Sequence, residues 1–135
     1  MRYRNTRCFF VEVMPILKKI YVCSRYAGET DENVIKAREY CGFVAKVCGA
    51  IPVAPHIYFT QFLDDAVPEE RTFGRMIGLQ LLSECDELWY FGDQISQGMV
   101  AEIIAAKEQG IPVRYVSQKD INLMTKENGG KINEN

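Results

Sequence analysis

The chain is poor in the residues that metal and redox chemistry draw on. It has a single histidine, His56, and its five cysteines, at 8, 23, 41, 48 and 85, contain no C-x-x-C pair. No zinc-finger spacing can be built from that set, and no metal or cofactor is expected. Neither G-x-G-x-x-G nor G-x-x-x-x-G-K-[ST] occurs, which weighs against dinucleotide-binding Rossmann and P-loop readings. A G-x-S-x-G elbow is also missing, and one histidine makes a Ser-His-Asp triad a poor fit. No apolar run approaches the ~20 residues of a membrane span. Lysine plus arginine number 16 against 18 aspartate plus glutamate, a net charge of −2, so the basic surface that duplex nucleic acid needs is lacking.

What remains is the composition of one globular domain: 135 residues, 47% apolar and 25% charged. Cys23 and Cys85 lie in or beside apolar runs, as reduced core thiols do, so a cytoplasmic protein with free thiols is expected. Residues 1–14 place Arg2, Arg4 and Arg7 before Cys8-Phe9-Phe10-Val11. That run is too short for a signal peptide, is broken by Glu12 and has no small-x-small cleavage site. It reads as a poorly ordered extension, or as an overcalled start with Met14-Pro15 the natural one, ahead of a domain over 15–116, with 117–135 as a polar, frayed tail.

Four strands are expected, at Lys18–Cys23, Ile51–Ala54, Asp86–Phe91 and Pro112–Val116. Between the first two, Thr30 is a plausible N-cap. Val34, Ala37, Cys41, Val44 and Cys48 then recur at helical spacing up to a stop at Gly49. Pro68 opens a second helix whose buried face is expected to hold Phe73, Met76, Ile77, Leu81 and Leu82. A third helix covers about 99–109, with Met99, Ile103 and Ala106 inward. Strands alternating with helices predict an α/β fold: a three-layer, doubly wound, mostly parallel sheet of four to five strands, flavodoxin- or Rossmann-like. Ligands of such folds bind beyond the carboxyl ends of the strands, which brings together loops 24–29, 55–65 and 92–98. The middle loop is long and aromatic, and long structured loops tend to be functional.

Chemistry is concentrated after the third strand, in Asp93, Ser96 and Glu102. Glu102 sits between Met99 and Ile103 in apolar company, a setting that raises a carboxyl pKa and marks a candidate for catalysis. Asp86, at the amino end of its strand, reads as structural, and Trp89 and Phe91 read as core. Tyr21 fits either core or site. His56 fits either a ligand contact or a structural hydrogen bond. Asp64-Asp65 reads as a solvated loop or a subunit contact before a metal site.

The run Ser96-Gln97-Gly98-Met99-Val100-Ala101-Glu102, followed by Ala106 and Gly110-Ile111-Pro112-Val113, resembles the signature helix of the nucleoside 2-deoxyribosyltransferase-like proteins. These include deoxynucleoside 5′-monophosphate N-glycosidases. Ile20-Tyr21-Val22-Cys23-Ser24-Arg25-Tyr26-Ala27-Gly28 resembles that family's opening strand and loop. Pro55-His56, Leu63-Asp64-Asp65 and Asp86-Glu87-Leu88-Trp89 resemble small bacterial and phage relatives. The likeness spans about residues 18–116. The relatives usually show Ser-Pro-Tyr in place of Ser24-Arg25-Tyr26 and Glu-Leu-Gly in place of Glu102-Ile103-Ile104, with Ile104 expected to narrow its face.

The resemblance implies cleavage of an N-glycosidic bond through a covalent glycosyl-carboxylate, with net retention. Glu102 is then the nucleophile and Asp93 the group that protonates or orients the leaving base. Ser96 and the amides at the helix start, around Gly98 and Met99, hold a sugar hydroxyl or a phosphate. Tyr21, Ser24, Tyr26 and Gly28 line the sugar and base site, His56 borders it, and Arg25 pairs with a phosphate. The partners implied are a small-molecule nucleoside or nucleotide and further copies of the chain in a homo-oligomer. The aromatic loop over 57–62 then serves as an intersubunit lid. Two other readings stand beside this one. The same pocket could bind or sequester a nucleotide derivative without turnover, or loop 55–65 could dock a protein.

Overall fold

A computed structural model of the protein describes residues 15–25 and 31–133. The expected extension over 1–14, the Thr30 cap, Tyr26 and Gly28 lie outside those residues.

Four strands form one parallel sheet in the order β2-β1-β3-β4: β1 (Lys19–Cys23), β2 (Ile51–Val53), β3 (Glu87–Phe91) and β4 (Val113–Val116). Each begins or ends within a residue or so of its expected position. Side chains of a strand alternate between faces, and this alternation sorts the core. Ile20, Val22, Trp89, Phe91 and Val116 point to one side; Tyr21, Cys23 and Leu88 point to the other. The first side is covered by α1 (Asp31–Gly42), a π-helical extension of it over Phe43–Val47, and α5 (Gln118–Asn133). The second is covered by α3 (Pro68–Ser83) and α4 (Gln97–Glu108). The result is the three-layer, doubly wound architecture expected.

The connection through α1 leads from β1 to one neighbour, β2. The connection through α2 (Pro55–Phe59) and α3 leads to the other, β3. Strand order therefore reverses between β1 and β3, and a crevice opens beyond their carboxyl ends. Register pairs Tyr21 with Leu88 and Cys23 with Tyr90 at that point. At the opposite end, the Lys19 amide donates to Asp86 Oδ2 at 2.8 Å, and Lys18 Nζ lies 3.2 Å from Glu87 Oε2. Asp86 thus ties the amino ends of β1 and β3, as its structural reading holds.

Two expectations need correction. Residues 118–133 are a helix, not a frayed tail. Its first turn is closed by a reciprocal cap: Ser117 Oγ accepts from the Asp120 amide, and Asp120 Oδ2 accepts from the Ser117 amide, both at 3.0 Å. Ile121 and Met124, three residues apart, then pack against the Phe91 side of the core.

The second correction concerns the face that α3 buries. Of the expected face, Leu82 is buried and Ile77 and Leu81 are half-buried, but Phe73 and Met76 are 53% and 51% exposed, and Gly78 is buried in their place. Glycines at 74 and 78 give this helix a bare strip that lines the cavity side, with Leu63 3.5 Å from where a Gly74 Cβ would stand. The Cβ that Gly78 lacks would stand 3.5 Å from the Tyr21 hydroxyl.

The four described cysteines, Cys23, Cys41, Cys48 and Cys85, are free thiols. Among the described residues, no helix is long and apolar enough to cross a membrane.

Candidate functional site

β1 delivers Tyr21 and Cys23 to the α4 side of the sheet and ends at Cys23, with Ser24 next in the chain. α4 starts just beyond β3, after Gly92, whose φ of +96° makes the reversal that a side-chain-bearing residue resists. Ser96 is the N-cap of α4, its Oγ accepting from the Met99 amide at 3.2 Å. One and a half turns later the helix presents Glu102 back toward β1.

There the carboxylate meets two donors, one on each oxygen. Tyr21 Oη donates to Oε2 at 2.5 Å, and Cys23 Sγ lies 3.3 Å from Oε1 as a donor. Burial pushes the Glu102 carboxyl above its ordinary range, and the Tyr21 and Cys23 hydrogen bonds pull it back. The same burial, reinforced by the charge of Glu102, pushes both the Tyr21 phenol and the Cys23 thiol upward. The two donors therefore keep their protons and serve the carboxylate as donors only.

Glu102 forms part of the wall of a cavity of about 580 Å³, within the span usual for small-molecule sites. Of the expected residues, Tyr21, Ser24, His56, Ser96, Gly98 and Met99 line it with Glu102. His56 is on the first turn of α2, and burial lowers its pKa to about 4, so its ring is neutral at physiological pH.

The structure does not bring Asp93 or Arg25 to this cavity. Asp93 is exposed beyond β3, and its charge acts on Tyr40, which belongs to the other face of the sheet. The turn at Gly92 carries the chain past the end of the sheet before α4 returns it. Arg25 is exposed and donates to Gln94 Oε1 across the top of the strands. Ile104 is half exposed on the outer side of α4, so it does not narrow the cavity.

Asp65, at the end of the expected loop 55–65, also lines the cavity, and the residues that the sequence reading missed come from α3: Glu70, Arg71, Gly74, Arg75 and Gly78. Their signal was present as a 3–4 residue recurrence through 71, 74, 75, 78 and 82. The apolar recurrence at 73, 76 and 77 masked it.

Asp64 accepts from the Ala66 amide and donates its own amide to Glu70 Oε1, both within 2.9 Å, which shapes the turn before α3. Among the described residues, no group of three or more His, Cys, Asp or Glu side chains is placed to hold a metal ion. Tyr58, Phe59 and Phe62 form an aromatic cluster beside the cavity, with ring centroids 4.9 to 6.5 Å apart. Phe59 is buried, while Tyr58 and Phe62 are largely exposed.

No curated protein matches the chain. A solved structure that resembles it is the 2-deoxyribosyltransferase from the psychrotolerant bacterium Bacillus psychrosaccharolyticus. The two superpose with a TM-score of 0.62 at 22% identity, over 73% of this chain and 72% of the other. That likeness shows a shared fold. The family model that matches, over residues 18–116, is described as a domain of unknown function, DUF7768, and it is to this family that the chain belongs.

Proposed function

We propose that the protein cleaves the N-glycosidic bond of a nucleoside or nucleotide, as an N-glycosidase or a deoxyribosyltransferase, with Glu102 as the nucleophile. The observation that carries this reading is the partly buried Glu102 carboxylate at the cavity wall, with Tyr21 on one oxygen and Cys23 on the other. A carboxylate held in one rotamer against a small-molecule cavity is what attack on an anomeric carbon requires. The deoxyribosyltransferase with the same fold, described as a biocatalyst for nucleoside synthesis, supports the choice of substrate class.

In the first step a Glu102 oxygen bonds to the anomeric carbon as the carbon–nitrogen bond breaks. The base leaves with the bonding pair and takes a proton. Asp65, an exposed carboxyl group lining the same cavity, is assigned the relay of that proton from solvent in place of Asp93. Water then attacks the same carbon, returns a proton to Asp65 and frees the Glu102 carboxylate. A second base in place of water gives transfer. Two displacements at one carbon give net retention. Assembly as a homo-oligomer in the cytoplasm belongs to the same reading. Phe73, Met76, Val100 and Ile104 leave apolar surface on the outer sides of α3 and α4 for other copies to cover.

The test is release of free base, followed by liquid chromatography, from a panel of nucleosides and 5′-monophosphates. The expected outcome is release by the parent protein and a loss of at least about 1000-fold in Glu102→Gln, the scale on which removing a catalytic group acts. Equal rates in the two proteins would remove Glu102 from the mechanism. No release from any substrate would favour the second reading, a protein that binds a nucleotide derivative without turnover. The observation on its side is the position of Asp93, outside the cavity.

A further inference from the structure

Two arginines line the cavity, and neither is the Arg25 that the sequence offered. Arg71 and Arg75 stand one helical turn apart on α3, on the side of that helix which carries Gly74 and Gly78. No ion pair or hydrogen bond joins either guanidinium to another described residue. The neighbouring Glu70 carboxylate already accepts the Asp64 amide at 2.8 Å.

Their position along α3 can be measured from Gly78, whose missing Cβ faces the Tyr21 hydroxyl that holds Glu102. At ~1.5 Å of rise per residue, Arg75 is rooted about 4.5 Å from that point and Arg71 about 10.5 Å. Both are therefore rooted in the cavity lining on the side of Gly78 that leads toward the start of α3, where a group extending from a sugar at Glu102 can meet them.

A second set of donors lines the same cavity. Ser24 is 5% exposed, and its Oγ has no hydrogen-bond partner among the described residues. A buried hydroxyl in that state calls for an acceptor from outside the chain. Gln97 and Gly98, which also line the cavity, open α4. Their amides have no helical acceptor, because the Ser96 cap is spent on Met99. The cavity thus offers two guanidinium groups and neutral donors together, with the Asp65 and Glu70 carboxylates beside them.

We propose that Arg71 and Arg75 recognise a phosphoryl group on the ligand, with the Ser24 hydroxyl as a neutral donor. They select a phosphorylated nucleoside over the bare nucleoside. The inference rests on the nucleoside reading of the site. Arginine suits the task because its planar fork matches phosphate oxygens and its hydrogen bonds to them are charge-assisted.

The test is titration calorimetry at low salt on the Glu102→Gln protein, using nucleosides, their 5′-monophosphates and inorganic phosphate. The monophosphates are expected to bind at least about tenfold more tightly than the nucleosides. Arg71→Ala and Arg75→Ala should each remove most of that advantage. Arg38→Ala, on α1 and away from the cavity, should leave it intact. Both cavity arginines are exposed, so their variants should keep the parent's melting temperature. Inorganic phosphate competing with a monophosphate, but not with a nucleoside, would place the phosphoryl group at the arginines.

Equal affinity for nucleosides and monophosphates would overturn the proposal, as would an advantage that survives in the double arginine variant. Base release by the parent without a phosphate advantage overturns this inference and leaves the glycosidase reading standing. An arginine-dependent phosphate advantage without base release does the reverse.

Discussion

The two faces of the sheet are built from the same strands and end in opposite states. On the α1 and α5 side, the rings of Tyr40 and Phe91 stack with centroids 4.5 Å apart, Phe43 meets Phe91 edge-on at 6.4 Å, and Trp89 lies beneath the Arg114 guanidinium at 5.0 Å. That side is sealed by aromatic packing. On the α3 and α4 side, the strands contribute Tyr21, Cys23 and Leu88, and the helix above offers two glycines where large side chains would close the gap. That side keeps a cavity and a partly buried carboxylate. Stability is concentrated on one face of a single sheet, and the chemistry proposed here sits on the other.

The comparison breaks most visibly at its phenylalanines. Phe91, fully buried on the sealed face, should lose about 3–5 kcal/mol of stability on truncation to alanine. Phe73, on the outer side of α3, should lose within ~0.5 kcal/mol for the same change. Urea unfolding of the two variants measures both. Similar losses would mean that another copy of the chain buries Phe73.

His56 sharpens the comparison next, because it brings an acid sensitivity to the cavity side. Its pKa falls from 6.5 in the unfolded chain to about 4 in the fold, so the folded state resists protonation. The stability contributed by the neutral ring is complete above pH 6.5 and is lost as pH falls toward 4, by about 3 kcal/mol. His56→Gln should flatten the decline in urea midpoint between pH 7 and pH 4.5.

Glu102 has the opposite sign. Its carboxyl is raised in the fold, so its contribution is complete below pH 4.5 and is lost as pH rises through the folded value. Glu102→Gln should therefore melt higher than the parent at pH 8 and about level with it at pH 4. A lower melting point at pH 8 would mean that the ionised carboxylate stabilises the fold, against the reading of it as a strained functional group.

The contrast between faces also explains what could be read from the sequence. Strands announce themselves through β-branched and aromatic runs, and all four were legible. Glu102 was legible because a charged residue among alanines, methionine and isoleucine breaks the local pattern. The cavity face of α3 was not, since hydrophobic periodicity finds the wrong side of a helix whose inner positions are glycine and arginine. Asp93 was misplaced because a carboxylate at a strand's end looks ready for chemistry until the positive-φ turn at Gly92 is known. The last helix was hidden by its polar composition, although Ser117 and Asp120 hold the spacing of a cap.

The hydrogen bond from the Lys19 amide to Asp86 joins residues 67 positions apart. At a synthesis rate of about 5–20 residues per second, β1 leaves the ribosome some 3–13 s before the strand that completes its second edge. For that interval Tyr21 and Cys23 have neither β3 beside them nor α4 above them. The candidate site is thus a part of the nascent chain that waits for its partners, open meanwhile to capture by a chaperone or by another unfinished chain.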